Sequence, residues 1–136
     1  MAVIVFTRLR LKDPEVLNDF FTGAAAALEQ AQKAAGNLGS DALAEAHDTW
    51  WSVTSWQDRG TMQAFVAAEP HQTVMTRLSD WCDEAAFVDW EQPDPALPDW
   101  QTGYQRLIAD GKAAQLTQAS PANQSLGYPP PVVPAK

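Results

Sequence analysis

The sequence predicts an α+β domain in the order β-α-β-β-α-β, the ferredoxin-like arrangement. Three observations predict it. An opening run of β-branched and aromatic residues, AVIVFTRLRL, precedes a long amphipathic stretch. A Trp- and Thr-rich run, TWWSVTSWQ, stands before a second helical stretch, and a last short run, AAFVDWE, closes the order by residue 91. With 136 residues the chain has room for one core of ordinary size.

Residues 2–11 alternate as a strand. Val3, Val5, Thr7, Leu9 and Leu11 fall on one face, and Ile4, Phe6, Arg8 and Arg10 on the other. Asp13 followed by Pro14 starts a helix, with the carboxylate as N-cap and proline at the first helical position. Leu17, Phe20, Phe21, Ala24, Leu28, Ala31 and Ala35 then form one apolar stripe, and Gly36 stops the helix near residue 35. Residues 38–47 and 49–57 are two strands joined by a polar His47-Asp48 turn. Alanine works against the first of them, whereas Trp and Thr favour the second. Asp58 caps a second helix whose apolar positions are Met62, Phe65, Val66, Val74, Leu78 and Trp81. Pro70 breaks that helix near 68–70 and leaves a further piece over 71–82, before a final strand at 85–91. A four-stranded sheet with helices on one face leaves the other face open. Such a face is usually buried against a second copy, so a homodimer is expected.

Residues 1–92 therefore make the ferredoxin-like domain. Residues 93–116 hold a Pro-rich linker, QPDPALPD, and a helix from about 99 to 115 with Trp100, Tyr104, Leu107 and Ile108 on one side. That helix packs either on its own domain or on a partner. Residues 117–136 are polar and Pro-rich and are expected to be flexible. The PPPVVP ending is either plain mobile tail or a ligand for a domain that reads polyproline.

A net charge of -8, from 17 acidic against 9 basic residues, argues against a nucleic-acid surface and against an anionic membrane. No apolar run is long enough to span a bilayer. The opening residues have their charges after a short apolar run rather than before it, unlike a signal peptide, so a cytoplasmic location is expected. One cysteine, Cys82, excludes an intrachain disulfide and a multi-cysteine zinc site. The two histidines share no short ligand spacing, and no phosphate-binding glycine loop or nucleophile elbow occurs, so no metal or nucleotide cofactor is expected.

His71 stands just past the Pro70 break, where a neutral imidazole suits a general base and an ordinary solvated histidine is the alternative. His47, at the hairpin turn, reads as a surface residue. Arg8 either holds a substrate anion or pairs with a carboxylate on a neighbouring strand or across a dimer, and Arg10 is closer to the strand end. Trp50 and Trp51 are adjacent and so face opposite sides of the sheet. The six tryptophans either wall a site for a flat ligand or simply fill the core. Cys82 sits beside Trp81, Asp83 and Glu84, acidic neighbours that disfavour a thiolate, and it reads as structural. Asp80 lies about 180° around the helix from His71 and does not orient it.

The strand end VTSWQD leading into AFVAAEPH, and the closing RLSDWCDEAAFVDW, resemble the antibiotic biosynthesis monooxygenase-like superfamily over residues 3–91. Within it they are similar to actinobacterial proteins with a Trp-Cys-Asp-Glu segment. The resemblance implies a dimeric α+β barrel with a cavity between helices and sheet. It implies a cofactor-independent monooxygenase-like enzyme of specialised metabolism, acting on a small aromatic or polyketide-like substrate. In that reading His71 is the base and Arg8 the anion stabiliser, with Trp51, Trp56, Phe65, Met75 and Phe6 as walls. A haem-binding or other ligand-binding dimer, and an isomerase, cyclase or lyase, are the alternatives on the same fold. The haem-degrading branch carries an Asn, a Trp and a His at places that fall here on Thr7, Phe65 and Met75, so its residue set is absent.

Overall fold

A computed structural model describes residues 1–45 and 48–133. β1 (Ala2–Leu11) is the middle of an antiparallel sheet, between β3 (Thr49–Trp56) and β4 (Cys82–Gln92). β2 (Asn37–Glu45) borders β3, and a two-residue strand, β5 (Lys112–Ala113), borders β4, giving the order β2-β3-β1-β4-β5. The α+β ferredoxin-like order is thus present, with one short strand added at an edge. α1 (Leu17–Lys33), α2 (Arg59–Ala67) and α3 (His71–Trp81) pack on one face. α4 (Trp100–Asp110) and the short α5 (Pro121–Ser125) lie beyond β4. Among the described residues no helix is long and apolar enough to cross a membrane.

The signals in the chain explain where the elements begin. Asp13 accepts a hydrogen bond from the Glu15 N–H at 2.9 Å and starts a 3-10 turn (Pro14–Val16) that leads into α1. Gly36 has φ +84, and a Cβ there would stand 2.5 Å from Thr61, so the turn out of α1 needs glycine. Asp58 caps α2 by accepting from the Thr61 N–H at 2.8 Å. The chain breaks at Ala68–Pro70 as Pro70 requires. β4 begins at Cys82, directly after α3 and earlier than residue 85. Asp83 and Glu84 belong to the strand because they pair with Arg10 and Arg8 of β1.

The face of the sheet away from α1–α3 is covered, contrary to the expectation of an open face. Ile4, Phe6, Trp51, Val53, Val88 and Trp90 are buried there, with Leu97, Trp100, Tyr104, Leu107, Leu126 and Tyr128 packed over them. α4 therefore packs on its own domain, and an open sheet face is no longer a reason to expect a homodimer. Gly103 makes this possible, since a Cβ at that position would lie 2.1 Å from the Phe6 ring.

In the segment from 117 onward, expected to be flexible, two residues are buried while Val132 and Val133 are exposed. Asn123 is 1% exposed and Tyr128 3%. Asn123 Oδ1 accepts from the Ala85 N–H (2.9 Å) and the Tyr128 hydroxyl (2.7 Å), and its Nδ2 donates to the Ala114 carbonyl (3.1 Å). Further on, the Val132 N–H donates to Glu45 at 3.0 Å. A few buried polar groups hold a segment whose overall composition reads as loose. His47 and the last three residues, 134–136, lie outside the described residues.

Candidate functional site

An apolar cavity of about 280 Å³ lies between the sheet and α1–α3. That is the low end of the size range of small-molecule sites. Its floor is the β1 face carrying Val5, Thr7 and Leu9, flanked by Trp50, Ser52 and Thr54 of β3 and by Phe87 and Asp89 of β4. Its roof includes Ala24, Ala27 and Ala31 of α1, small residues that leave the space open. Phe65, His71 and Met75 come from the α2–α3 side.

Two aromatic rings support His71. Phe65 stacks on Trp56 with ring centroids 4.9 Å apart and planes 28° apart. The imidazole of His71 lies 4.5 Å from the Phe65 ring. His71 Nδ1 sits 3.2 Å from the Val66 carbonyl oxygen. A carbonyl only accepts, so Nδ1 carries the proton and Nε2 is the basic nitrogen. Burial lowers the His71 pKa below its ordinary value, partly opposed by the Val66 hydrogen bond, so the ring is neutral at pH 7. A neutral imidazole with Nε2 unprotonated, in an apolar cavity, is chemically a general base.

The cavity also holds hydroxyls. Thr7 and Ser52 are cross-strand partners, so the register brings their side chains side by side onto the floor. Thr54 accepts from the Trp56 indole N–H at 2.9 Å. Asp89 is bound at 2.9 Å by Arg59.

The structure places His71, Trp56, Phe65 and Met75 at this cavity. It does not bring Arg8, Phe6 or Trp51 there. Those three lie on the opposite face, because strand neighbours alternate and the helices took the face of Thr7 and Trp50. Arg8 is 2% exposed and donates from Nη1 to Glu84 at 2.6 Å. Its guanidinium lies 4.4 Å from the Tyr128 ring centroid, and Glu84 also accepts from Ser120 at 2.7 Å. The ion-pair reading of Arg8 therefore describes its surroundings, and the partner is on the neighbouring strand. Arg10 pairs bidentately with Asp83, at 2.9 and 2.8 Å. Trp51 donates to Glu45 at 2.7 Å. The residues that sequence reasoning missed are Trp50, Thr7, Ser52 and Asp89. The signal for them was the alternation itself, once α1 and its alanine stripe are assigned to the Val5–Thr7–Leu9 face.

Cys82 is fully buried, and burial followed by the nearby Asp83 pushes its thiol up to about 12, so it is no nucleophile here. Among the described residues no group of His, Cys, Asp and Glu is arranged to hold a metal ion. Among the described residues no Lys or Arg lines the cavity to meet the propionates of a haem.

The sequence profile of the antibiotic biosynthesis monooxygenase family matches residues 2–77. Solved structures are similar in fold at low identity. Rv0793 from Mycobacterium tuberculosis is 12% identical with a TM-score of 0.62, over 71% of this chain and 99% of that one. SnoaB, a cofactor-independent oxygenase from Streptomyces nogalater, is 14% identical with a TM-score of 0.56, over 72% and 98%. A conserved protein from Methanosarcina mazei is 17% identical with a TM-score of 0.59, over 68% and 93%. These neighbours are covered almost whole, while more than a quarter of this chain is left unmatched. No curated protein matches the sequence.

Proposed function

Because the chain belongs to the antibiotic biosynthesis monooxygenase family, we propose that it is a small oxygenase that acts on a flat phenolic or enolisable aromatic substrate without a nucleotide cofactor. The observation that carries this reading is the half-buried His71, held as the Nδ1–H tautomer in the wall of an apolar cavity. His71 Nε2 takes the acidic proton of the bound substrate. The Thr7 and Ser52 hydroxyls, rather than Arg8, donate to the developing substrate oxyanion. The substrate anion then gives one electron to O2, and the two radicals combine at a ring carbon to a peroxide that takes back the proton from His71. O–O cleavage with loss of that carbon's hydrogen releases water and leaves a quinone. One O2 thus supplies one quinone oxygen and one water. The protein contributes deprotonation and a water-poor cavity. The description of SnoaB as a cofactor-independent oxygenase supports this economy of groups. With no Lys or Arg on the walls among the described residues, substrates bearing a carboxylate or phosphate are disfavoured. A role in specialised metabolism is part of this reading and comes from the family resemblance. Pairing of two copies, which the family resemblance implies, would use a surface other than the covered sheet face.

The same base and hydroxyls also suit isomerisation or cyclisation, which needs no O2. An oxygen electrode separates the two with a panel of hydroxylated two- and three-ring aromatics. Oxygenation predicts O2 uptake matched one to one by quinone. His71→Gln should lower kcat/KM by about 10²- to 10⁴-fold. The wild-type profile should rise with pH to a midpoint below 6.5 and then stay flat, because the lowered pKa keeps the base unprotonated through neutrality. Substrate turnover without O2 uptake would favour the isomerase reading. An unchanged rate and profile in His71→Gln would remove the base.

A further inference from the structure

We propose that Gln30 of α1 is the positioning residue that sets the orientation of His71, by bonding at once to the end of α2 and the start of α3. The inference rests on the reading of His71 as the base and extends it to a residue outside the cavity wall.

Helix ends leave carbonyls and N–H groups without partners inside the helix. The α2–α3 corner brings two such ends within a few residues of each other. Pro70, the N-cap of α3, offers no capping side chain. Gln30 supplies what is missing from both ends. Its Oε1 accepts from the His71 backbone N–H at 2.8 Å. Its Nε2 lies 3.3 Å from the Phe65 carbonyl and 3.3 Å from the Ala68 carbonyl. Among the described residues no other side chain of α1 hydrogen-bonds to this corner. The carbonyl next to that of Phe65 belongs to Val66 and receives the His71 Nδ1–H. One amide therefore fixes the His71 backbone and the peptide segment that selects its tautomer. If the corner swings, the Val66 carbonyl leaves Nδ1 and the basic nitrogen is no longer assigned to Nε2. The charged groups near the corner are Glu69, bonded to Thr73, the Glu29–Lys33 pair on α1, and Asp89 across the cavity.

The test is histidine NMR of the full chain. The sequence has two histidines, and His47→Gln assigns the signals. Nitrogen shifts should show the Nδ1–H form of His71 in the wild type. In Gln30→Ala they should show a mixture dominated by Nε2–H, with the His71 pKa climbing toward the ordinary 6.5 as water reaches the ring. Gln30→Glu keeps an acceptor for the His71 N–H but loses the donor and adds a negative charge, so it should carry the pKa higher still. With an active substrate, kcat should fall on the order of 10²-fold in Gln30→Ala, with KM little changed. A folded Gln30→Ala chain with tautomer and pKa unchanged overturns the proposal. If that variant does not fold, an unchanged tautomer and pKa in Gln30→Glu overturns it. A shifted tautomer in a protein that neither binds nor oxidises any aromatic leaves Gln30 in its place and removes the proposed function instead.

Discussion

At Gly103 the backbone of α4 comes against the face of Phe6, and an added Cβ would stand 2.1 Å from a ring carbon that is wholly buried. Alanine normally gains about 1 kcal/mol over glycine inside a helix. Here overpacking, at about 1–3 kcal/mol, opposes that gain and outweighs it. Gly103→Ala should therefore destabilise the chain, seen as a lower urea midpoint; a higher midpoint would mean that α4 does not press on Phe6. Parity decided the fate of the other single residues. Thr7 and Arg8 are adjacent, yet one lines the cavity and the other is buried beneath Tyr128. His71, Trp56, Phe65 and Met75 were legible as cavity residues because helix periodicity and the Pro70 break fix their side. Arg8, Phe6 and Trp51 were not. Alternation says which residues share a face but not which face meets the helices. The pairing of Arg8 with Glu84 also removes the need for an anionic substrate, since a buried charge without a partner is costly and this one has its partner.

Among the elements, those announced by local chemistry are readable in the sequence. Asp13-Pro14, Asp58 and Pro70 each act within a few residues, and the 3-10 turn before α1, α2 itself and α3 begin where they direct. The Ala-rich β2 forms as an edge strand because the Trp- and Thr-rich β3 templates it, a tertiary cause that propensity does not register. β1 carried a further clue in its two apolar faces. A strand of that kind is buried on both sides, so cover for the second face was required. The chain provides that cover through α4 together with Leu97, Leu126 and Tyr128. Its linker and tail composition concealed this, because two residues, Asn123 and Tyr128, do most of the anchoring. Asn123→Ala leaves the Ala85 N–H, the Tyr128 hydroxyl and the Ala114 carbonyl without their partner, at a cost of about 3 kcal/mol after some rehydration. Loosening of this segment should also expose apolar sheet surface. Ultracentrifugation of that variant is expected to show association beyond that of the wild type at the same concentration. Equal stability and equal mass in both proteins would mean the segment is not held through Asn123.

For the whole molecule, the sheet divides two tasks. Its α1–α3 face carries an open apolar cavity lined by His71, Asp89 and the hydroxyls of Thr7, Ser52 and Thr54. Its other face is closed by the chain's own C-terminal segment around a buried Arg8–Glu84 pair. Among the described residues the cavity beside His71 is where a small ligand is expected to bind. The most direct measurement is chemical-shift mapping by NMR while a neutral, hydroxylated three-ring aromatic is titrated into the full chain. The expected shifts fall on His71, Phe65, Met75 and the Trp50 indole, with Arg8, Trp51 and Tyr128 unmoved. Saturable shifts confined to Trp51, Tyr128 and the α4 side would contradict the account.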